Sequence, residues 1–169
     1  EDVDGHIDIN HLREELVRYA DRPLLIGSFS AASNVTGIVT DTDAISSLLH
    51  EFHAIAMWDY AASAPYVDID MKPLSGPDHK DVVVLSPHKF IGGPSTPGIL
   101  AIRRSLLTNT VPAVVGGGTV AYVNPSEHLY LTDPVHREEA GTPAIVEAIR
   151  AGLTFQLKAA VGTDVIRAH

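Results

Sequence analysis

Asp81-Val82-Val83-Val84-Leu85-Ser86-Pro87-His88-Lys89-Phe90-Ile91-Gly92-Gly93 is the stretch on which the reading of this chain turns. An acid followed by four aliphatic residues reads as a short buried strand, and Pro87, which cannot donate to a ladder, stops it. Ser86, His88 and Lys89 then lie just beyond the strand's carboxyl end, the edge at which open α/β sheets bind ligands. A lysine with a hydroxyl three positions before it and a glycine pair after it suits covalent chemistry with a carbonyl compound. Partial desolvation would keep its amine neutral often enough to act as a nucleophile. Taken alone, the same residues also describe a strand that ends in a solvated lysine.

Composition narrows the field. The chain has 169 residues, 45% hydrophobic and 20% charged, enough for one folded core and one domain. A net charge of -9 argues against general nucleic-acid or membrane-surface binding, since both need basic patches. No apolar run approaches the ~20 residues of a membrane span. Glu1-Asp2-Val3-Asp4 has neither the basic region nor the apolar run of a signal peptide, which leads to the expectation of a cytoplasmic protein. With no cysteine, disulfides and thiolate metal sites are excluded. The missing initiator Met reads as a fragment or a processed product.

Outward from the central stretch, strand and helix patterns alternate. Leu12, Leu16, Val17 and Tyr19 predict a helix capped by Asn10 and ended by Pro23. Leu24–Phe29 reads as a strand that leads into the small polar loop Ser30–Gly37. Asp41 or Asp43 caps a second helix with the stripe Ala44, Ile45, Leu48, Leu49 and Phe52. Ala54–Trp58 reads as a buried strand stopping at Asp59, and residues 72–80, with two prolines and a glycine, as a surface loop. Gly98–Ile102 is a further strand, with Arg103-Arg104 ending it in solvent and a short helix or turn at 105–110. A last helix is expected with Thr142 as cap, Pro143 at its first position, and Ile145, Val146, Ile149 and Leu153 on one face. The alternation through residues 24–103 predicts a mostly parallel sheet flanked by helices.

That topology gathers Asn34, Asp59, Ser86, His88 and Lys89 at one sheet edge. A carboxylate buried at the end of an apolar strand is costly without a partner, and a protonated heterocyclic nitrogen would supply one. Asp59 also suits a plain turn or helix cap. Ser86 and His88 could hold a phosphate, or serve as a turn hydroxyl and a satisfied histidine. Gly116-Gly117-Gly118-Thr119 offers backbone N–H groups an anion could approach closely, and equally a plain flexible turn. His50, His53, His79, His128 and His136 show no paired metal spacing, so no metal site is expected. Gly92-Gly93-Pro94 lacks the Gly-Lys-Ser/Thr ending of a nucleotide loop, and no nucleophile elbow is present.

Five short stretches, in order and at comparable spacings, resemble the fold-type I pyridoxal-phosphate enzymes of the class V aminotransferase and cysteine desulfurase-like group. They are Ser33-Asn34-Val35-Thr36-Gly37, Asp59-Tyr60-Ala61-Ala62, Ser86-Pro87-His88-Lys89, Gly116-Gly117-Gly118-Thr119 and Glu139-Ala140-Gly141-Thr142-Pro143. The resemblance implies that Lys89 forms a Schiff base with pyridoxal 5'-phosphate and moves protons at the α-carbon of an amino-acid substrate. It implies that Asp59 pairs with the pyridine nitrogen, that Asn34 approaches the ring-hydroxyl side, and that Ser86 and His88 hold the phosphate. Gly118 and Thr119 would reach the phosphate of a neighbouring subunit in a homodimer.

The chain departs from the family in places. Ala62 stands where a glutamine is common, and the segment between Asp59 and Lys89 looks longer than usual. The whole chain, residues 1–169, corresponds to the central portion of the large domain. The family's ring-stacking residue, its small domain with the substrate-carboxylate arginine, and the desulfurase cysteine are not among these residues. This implies exposed apolar faces and inactivity for the chain by itself. The alternative is a non-catalytic α/β domain that keeps the fold as a binding or structural unit.

Overall fold

In a computed structural model that describes residues 1–72 and 75–169, four strands form the main sheet in the order of the chain. They are β1 (Ile26–Ser30), β2 (Ile55–Asp59), β3 (Val82–Leu85) and β4 (Ile99–Ile102). The first three are parallel and β4 runs antiparallel to β3. All four lie within two residues of the expected strands, and the mostly parallel sheet flanked by helices is the predicted fold class.

The strands are joined and covered by helices. α1 (Ile9–Arg18) begins at Asp8, whose carboxylate accepts from His11 N at 3.0 Å. Asn10, the expected cap, already lies inside the first turn. The helix also stops at Arg18, well before Pro23. α2 (Thr42–Glu51) starts where Asp41 accepts from Ala44 N at 3.0 Å, as one of the two expected caps. Its core stripe is Ile45, Ser46, Leu48 and Leu49, while Ala44 faces out. Ser46 occupies a core position because its hydroxyl accepts from the Trp58 indole N–H at 2.9 Å. Both side chains are fully buried, so each satisfies the other's polar atom.

Arg103 corrects the expectation of an arginine pair in solvent. Its guanidinium is half-buried and donates to Lys80 O at 3.0 Å, to Met71 O at 2.6 Å and to Lys72 O. Arg104 alone reaches solvent, bridging Asp133 at 3.0 Å. Arg103 therefore ties down both ends of the loop at 72–80, of which residues 73 and 74 lie outside the described residues. The loop's last residue, Lys80, is buried and pairs with Asp43 at 2.8 Å, and Lys72 pairs with the other oxygen of Asp43 at 2.5 Å.

Past β4 a 3₁₀ turn, Arg104–Leu106, stands where a short helix or turn was expected. A hairpin of β5 (Val120–Val123) and β6 (His128–Tyr130) and the short α3 (Pro134–Glu138) follow. Their residues are mostly exposed, so no apolar periodicity announced them. Arg137, buried, holds this unit together by donating to Asn109 O at 2.6 Å and Leu131 O at 3.3 Å. α4 (Ile145–Val161) begins two residues after Pro143, with Ala144 at the cap and no side-chain cap bond, so Thr142 does not start it. Its expected apolar face is turned outward: Ile145, Val146, Ile149 and Leu153 are all more than half exposed. The side that packs is formed by Ala151, Thr154 and Phe155. The last helix is α5 (Thr163–Ala168). No helix of the described residues is long and apolar enough to cross a membrane.

Two outcomes follow from this packing. Ser46→Ala leaves the Trp58 N–H buried and unpaired, and should cost about 1–3 kcal/mol in a urea titration. Burial pushes the Asp43 carboxyl up, but Lys72 and Lys80 outweigh it and hold the carboxyl below its ordinary value. Its contribution is therefore present above the unfolded-state value and lost as pH falls through the lower folded-state value. Lys80→Met should flatten the acid side of a stability–pH profile.

Candidate active site

The register of the parallel strands decides which side chains share an edge. Ser30 pairs with Asp59, and Asp59 with Val84. The ladder continues past the strand ends, with Ala31 N donating to Asp59 O at 2.8 Å and Tyr60 N to Val84 O at 2.9 Å. The carboxyl ends of β1, β2 and β3 are thereby level. Asp59 closes β2, Ser86 to Lys89 follow β3 directly, and Asn34 lies in the loop after β1.

Beyond Leu85 the chain enters a 3₁₀ turn, Pro87–Lys89. Pro87 and Phe90 on either side are buried, and the Phe90 ring packs on Phe155 of α4 with centroids 4.8 Å apart. These two anchors leave His88 and Lys89 facing outward, both exposed. Gly93 closes the turn from behind, where a Cβ would stand 1.9 Å from Pro87 O. The glycine is a steric requirement of the lysine's turn.

Asp59 is exposed, contrary to the expectation of a buried carboxylate, because the last residue of β2 clears the core. Its Oδ1 accepts from Ala61 N at 2.7 Å. Among the described residues, the side chains of Asn34, Ser86, His88 and Lys89 have no hydrogen-bond or ion-pair partner. Two hydroxyls close by in sequence, Ser63 after Asp59 and Thr96 after Lys89, are buried and equally unpartnered. Sequence reasoning missed both, since isolated hydroxyls in loops leave no periodic trace.

The edge is shared, but the cavities are not. Lys89 borders an apolar pocket against α4, with Tyr66, Phe90, Leu157 and Val161. A second lysine, Lys158, lines the same pocket. Burial lowers its pKa from the usual lysine value, with the charge of Asp68 opposing. Its ammonium is committed to Ala64 O at 2.8 Å and to Val67 O. Asn34 lies in a separate groove beside α1, with Ser28, Ser30 and Thr36, and Asp59 lines neither.

Gly118 and Thr119 stand apart from this edge, at the start of the β5–β6 hairpin. Thr119 is fully buried, and its hydroxyl donates to Gly116 O at 2.7 Å, closing its own glycine turn. Gly118 is exposed with φ +87°, a left-handed conformation that favours glycine. Gly141 N donates to Gly117 O at 2.8 Å, so the Gly-Gly-Gly-Thr stretch packs on the Glu139–Pro143 stretch.

The model of the aminotransferase class-V family matches residues 1–169. The chain belongs to this family. A probable cysteine desulfurase of Streptomyces coelicolor is 29% identical over 166 residues, 98% of this chain and 37% of the relative. A cysteine desulfurase of Synechococcus elongatus is 31% identical over 150 residues, 89% of this chain and 23% of the relative. Among solved structures, the apo cysteine desulfurase of Thermococcus onnurineus NA1 superposes with a TM-score of 0.80 at 26% identity. It covers 97% of this chain and 38% of its own. This class V chain thus spans between about a quarter and two fifths of the length of these relatives.

Gly93→Ala in this class V chain should cost about 1–3 kcal/mol by overpacking against Pro87 O. Gly117→Ala, where a Cβ meets nothing within 4 Å, should cost less. Thermal melts of the two variants side by side check the difference.

Proposed function

We propose that this chain supplies the lysine-bearing core of a pyridoxal-phosphate-dependent enzyme of the cysteine desulfurase-like branch, acting on an amino acid, with cysteine the first candidate substrate. One observation carries the reading. The free lysine of the turn after β3 and the carboxylate ending β2 stand at one level edge, alongside polar side chains that find no partner within the described residues.

The residues fit the cofactor's chemistry. Pyridoxal phosphate offers an aldehyde, a phosphate dianion and a basic ring nitrogen, and once bound it stabilises negative charge at the substrate's α-carbon. Lys89 is the nucleophile for the aldehyde. Of the two lysines on its pocket, Lys158 already donates to two carbonyls, whereas Lys89 Nζ is uncommitted among the described residues. Asp59 has a carboxylate oxygen free after Ala61 N is satisfied, and would keep the ring nitrogen protonated. Ser86 and His88 flank the lysine as phosphate donors, and Asn34 serves the ring-hydroxyl side. Once a substrate amine has taken its place on the aldehyde carbon, the freed Lys89 Nζ would carry protons to and from the α-carbon. A step that needs a thiol would draw on residues outside these 169, which hold no cysteine.

The second subunit of a homodimer is the proposed partner of Gly118 and Thr119. For Thr119 to touch a phosphate there, its hydroxyl must leave Gly116 O. The exposed N–H groups of the glycine turn need no such change.

Borohydride reduction of the protein with pyridoxal phosphate, followed by peptide mapping, tests the assignment. The label is expected on Lys89. Asp59→Ala should weaken cofactor retention roughly 10- to 150-fold, the loss of a charge-assisted bond of about 1.5–3 kcal/mol. Label spread evenly over Lys72, Lys80, Lys89 and Lys158 would sink this reading and leave a non-catalytic α/β domain.

A further inference from the structure

Away from that edge, three ionisable side chains converge at the other end of the sheet. They are His50 near the end of α2, His79 in the loop before β3 and Asp81 immediately before β3, and their nearest ligand atoms all lie within 4.8 Å of one another. Nothing in the spacing of the histidines reveals this group, because the fold brings it together across the α2–β2–loop connection.

Hydrogen bonding fixes the tautomers. His50 Nδ1 lies 2.5 Å from Pro77 O, and His79 Nδ1 lies 2.7 Å from Gly76 O. A carbonyl only accepts, so each Nδ1 carries a hydrogen. The two Nε2 atoms then face the same carboxylate, His50 at 3.0 Å from Asp81 Oδ2 and His79 at 3.3 Å from Oδ1. In a neutral ring protonated on Nδ1, Nε2 holds a lone pair, and a lone pair set against a carboxylate oxygen is repulsive.

Two arrangements remove the conflict. In one, both rings are imidazolium. That stacks two positive charges with centroids 3.9 Å apart and planes at 15°, in side chains only 16% and 14% exposed, against a single carboxylate. In the other, one cation sits among the three groups, and the near-parallel rings splay apart so that both Nε2 lone pairs turn toward it.

The geometry points to a divalent-cation site of the zinc class, with His50 Nε2, His79 Nε2 and one Asp81 oxygen as ligands and water in the remaining position. The nitrogen–oxygen separations, 3.0 Å from His50 to Asp81 Oδ2 and 3.3 Å from His79 to Oδ1, are near the ~3.3 Å that bonds of ~2.0–2.1 Å impose at tetrahedral angles, and a small turn of the carboxylate brings one oxygen to both rings. Two imidazoles and a carboxylate suit zinc or cobalt, whereas magnesium and calcium prefer all-oxygen sets. The surrounding shell is already built. The carbonyls of Pro77 and Gly76 hold both rings in the tautomer that ligates through Nε2, and Ala56 N donates to Asp81 Oδ2 at 2.9 Å. A metal here fastens the β2–β3 loop to the end of α2 and the start of β3.

Zn²⁺ alone, titrated into chelator-treated protein by calorimetry, and Co²⁺ followed by visible absorption test the site. The expected result is one equivalent bound, the ligand-field absorption of four-coordinate Co²⁺, and a higher Tm with metal. His79→Phe keeps a ring stacked on His50 but removes a ligand, and should weaken that equivalent by more than about 100-fold. His136→Ala, an exposed histidine outside the group, should leave it unchanged. Equal zinc binding by His79→Phe and the unaltered protein would overturn the proposal. So would the absence of the Co²⁺ signal in the folded, unaltered protein, a result that needs no variant to fold and would leave the paired imidazolium arrangement.

Discussion

The in-register pairing of β1, β2 and β3 is the constraint on which the rest of this molecule depends. Parallel strands carry alternate side chains to opposite faces, so a slip of one residue would exchange the inner and outer rows along the whole strand. Trp58 and its bond to Ser46 fix β2 against that slip, since the indole can satisfy its N–H only in one register. Once Trp58 is inside, Asp59 must be the residue that emerges at the end of the strand. The proline that ends β3 then delivers Lys89 to the same level. The candidate chemistry is thus a by-product of core packing a single residue away.

A contrast in polar bookkeeping separates this edge from the remainder of the chain. Arg103, Arg137, Lys80, Lys158 and Asp81 all spend their charges inside the molecule, on carbonyls, counter-ions or backbone N–H groups. Among the described residues, the side chains of Asn34, Ser86, His88 and Lys89 find no such partner. Half-buried and buried charges cost too much to leave unmatched, whereas exposed ones beside an apolar pocket remain available to a ligand. This difference in commitment, more than any residue type, distinguishes Lys89 from Lys158.

The sequence made the central architecture legible wherever periodicity and chain-breaking residues agreed. Val82–Leu85 followed by Pro87, and Ile45, Leu48 and Leu49 after Asp41, are clear because burial and local propensity point the same way. It misled where the cue was purely local: Asn10 and Thr142 are good caps in isolation, but Asp8 and Ala144 hold those places. Arg103 was read as solvated because its partners are backbone carbonyls far away in sequence, which leave no pattern. The face of α4 was recognised as apolar, but amphipathicity alone does not say whether a face meets the core. At the sheet edge, the motifs pointed to Asp59 and Lys89, whose strand ends lie level, whereas the inward turn of Thr119 and the buried hydroxyls of Ser63 and Thr96 depend on loop geometry. The histidine pair was invisible for the same reason.

The outward stripe of α4 also has a kinetic consequence. Ile145, Val146, Ile149 and Leu153 run along about two and a half turns of helix with their side chains largely in water. Folding of the sheet within one molecule is a first-order event that leaves this stripe exposed, while covering the stripe with a second molecule is second-order in protein. The two processes compete during refolding, and dilution favours the first. Recovery of native protein from denaturant is therefore governed by concentration as much as by the stability of the sheet. The order in which surfaces are covered becomes as important as how well they pack.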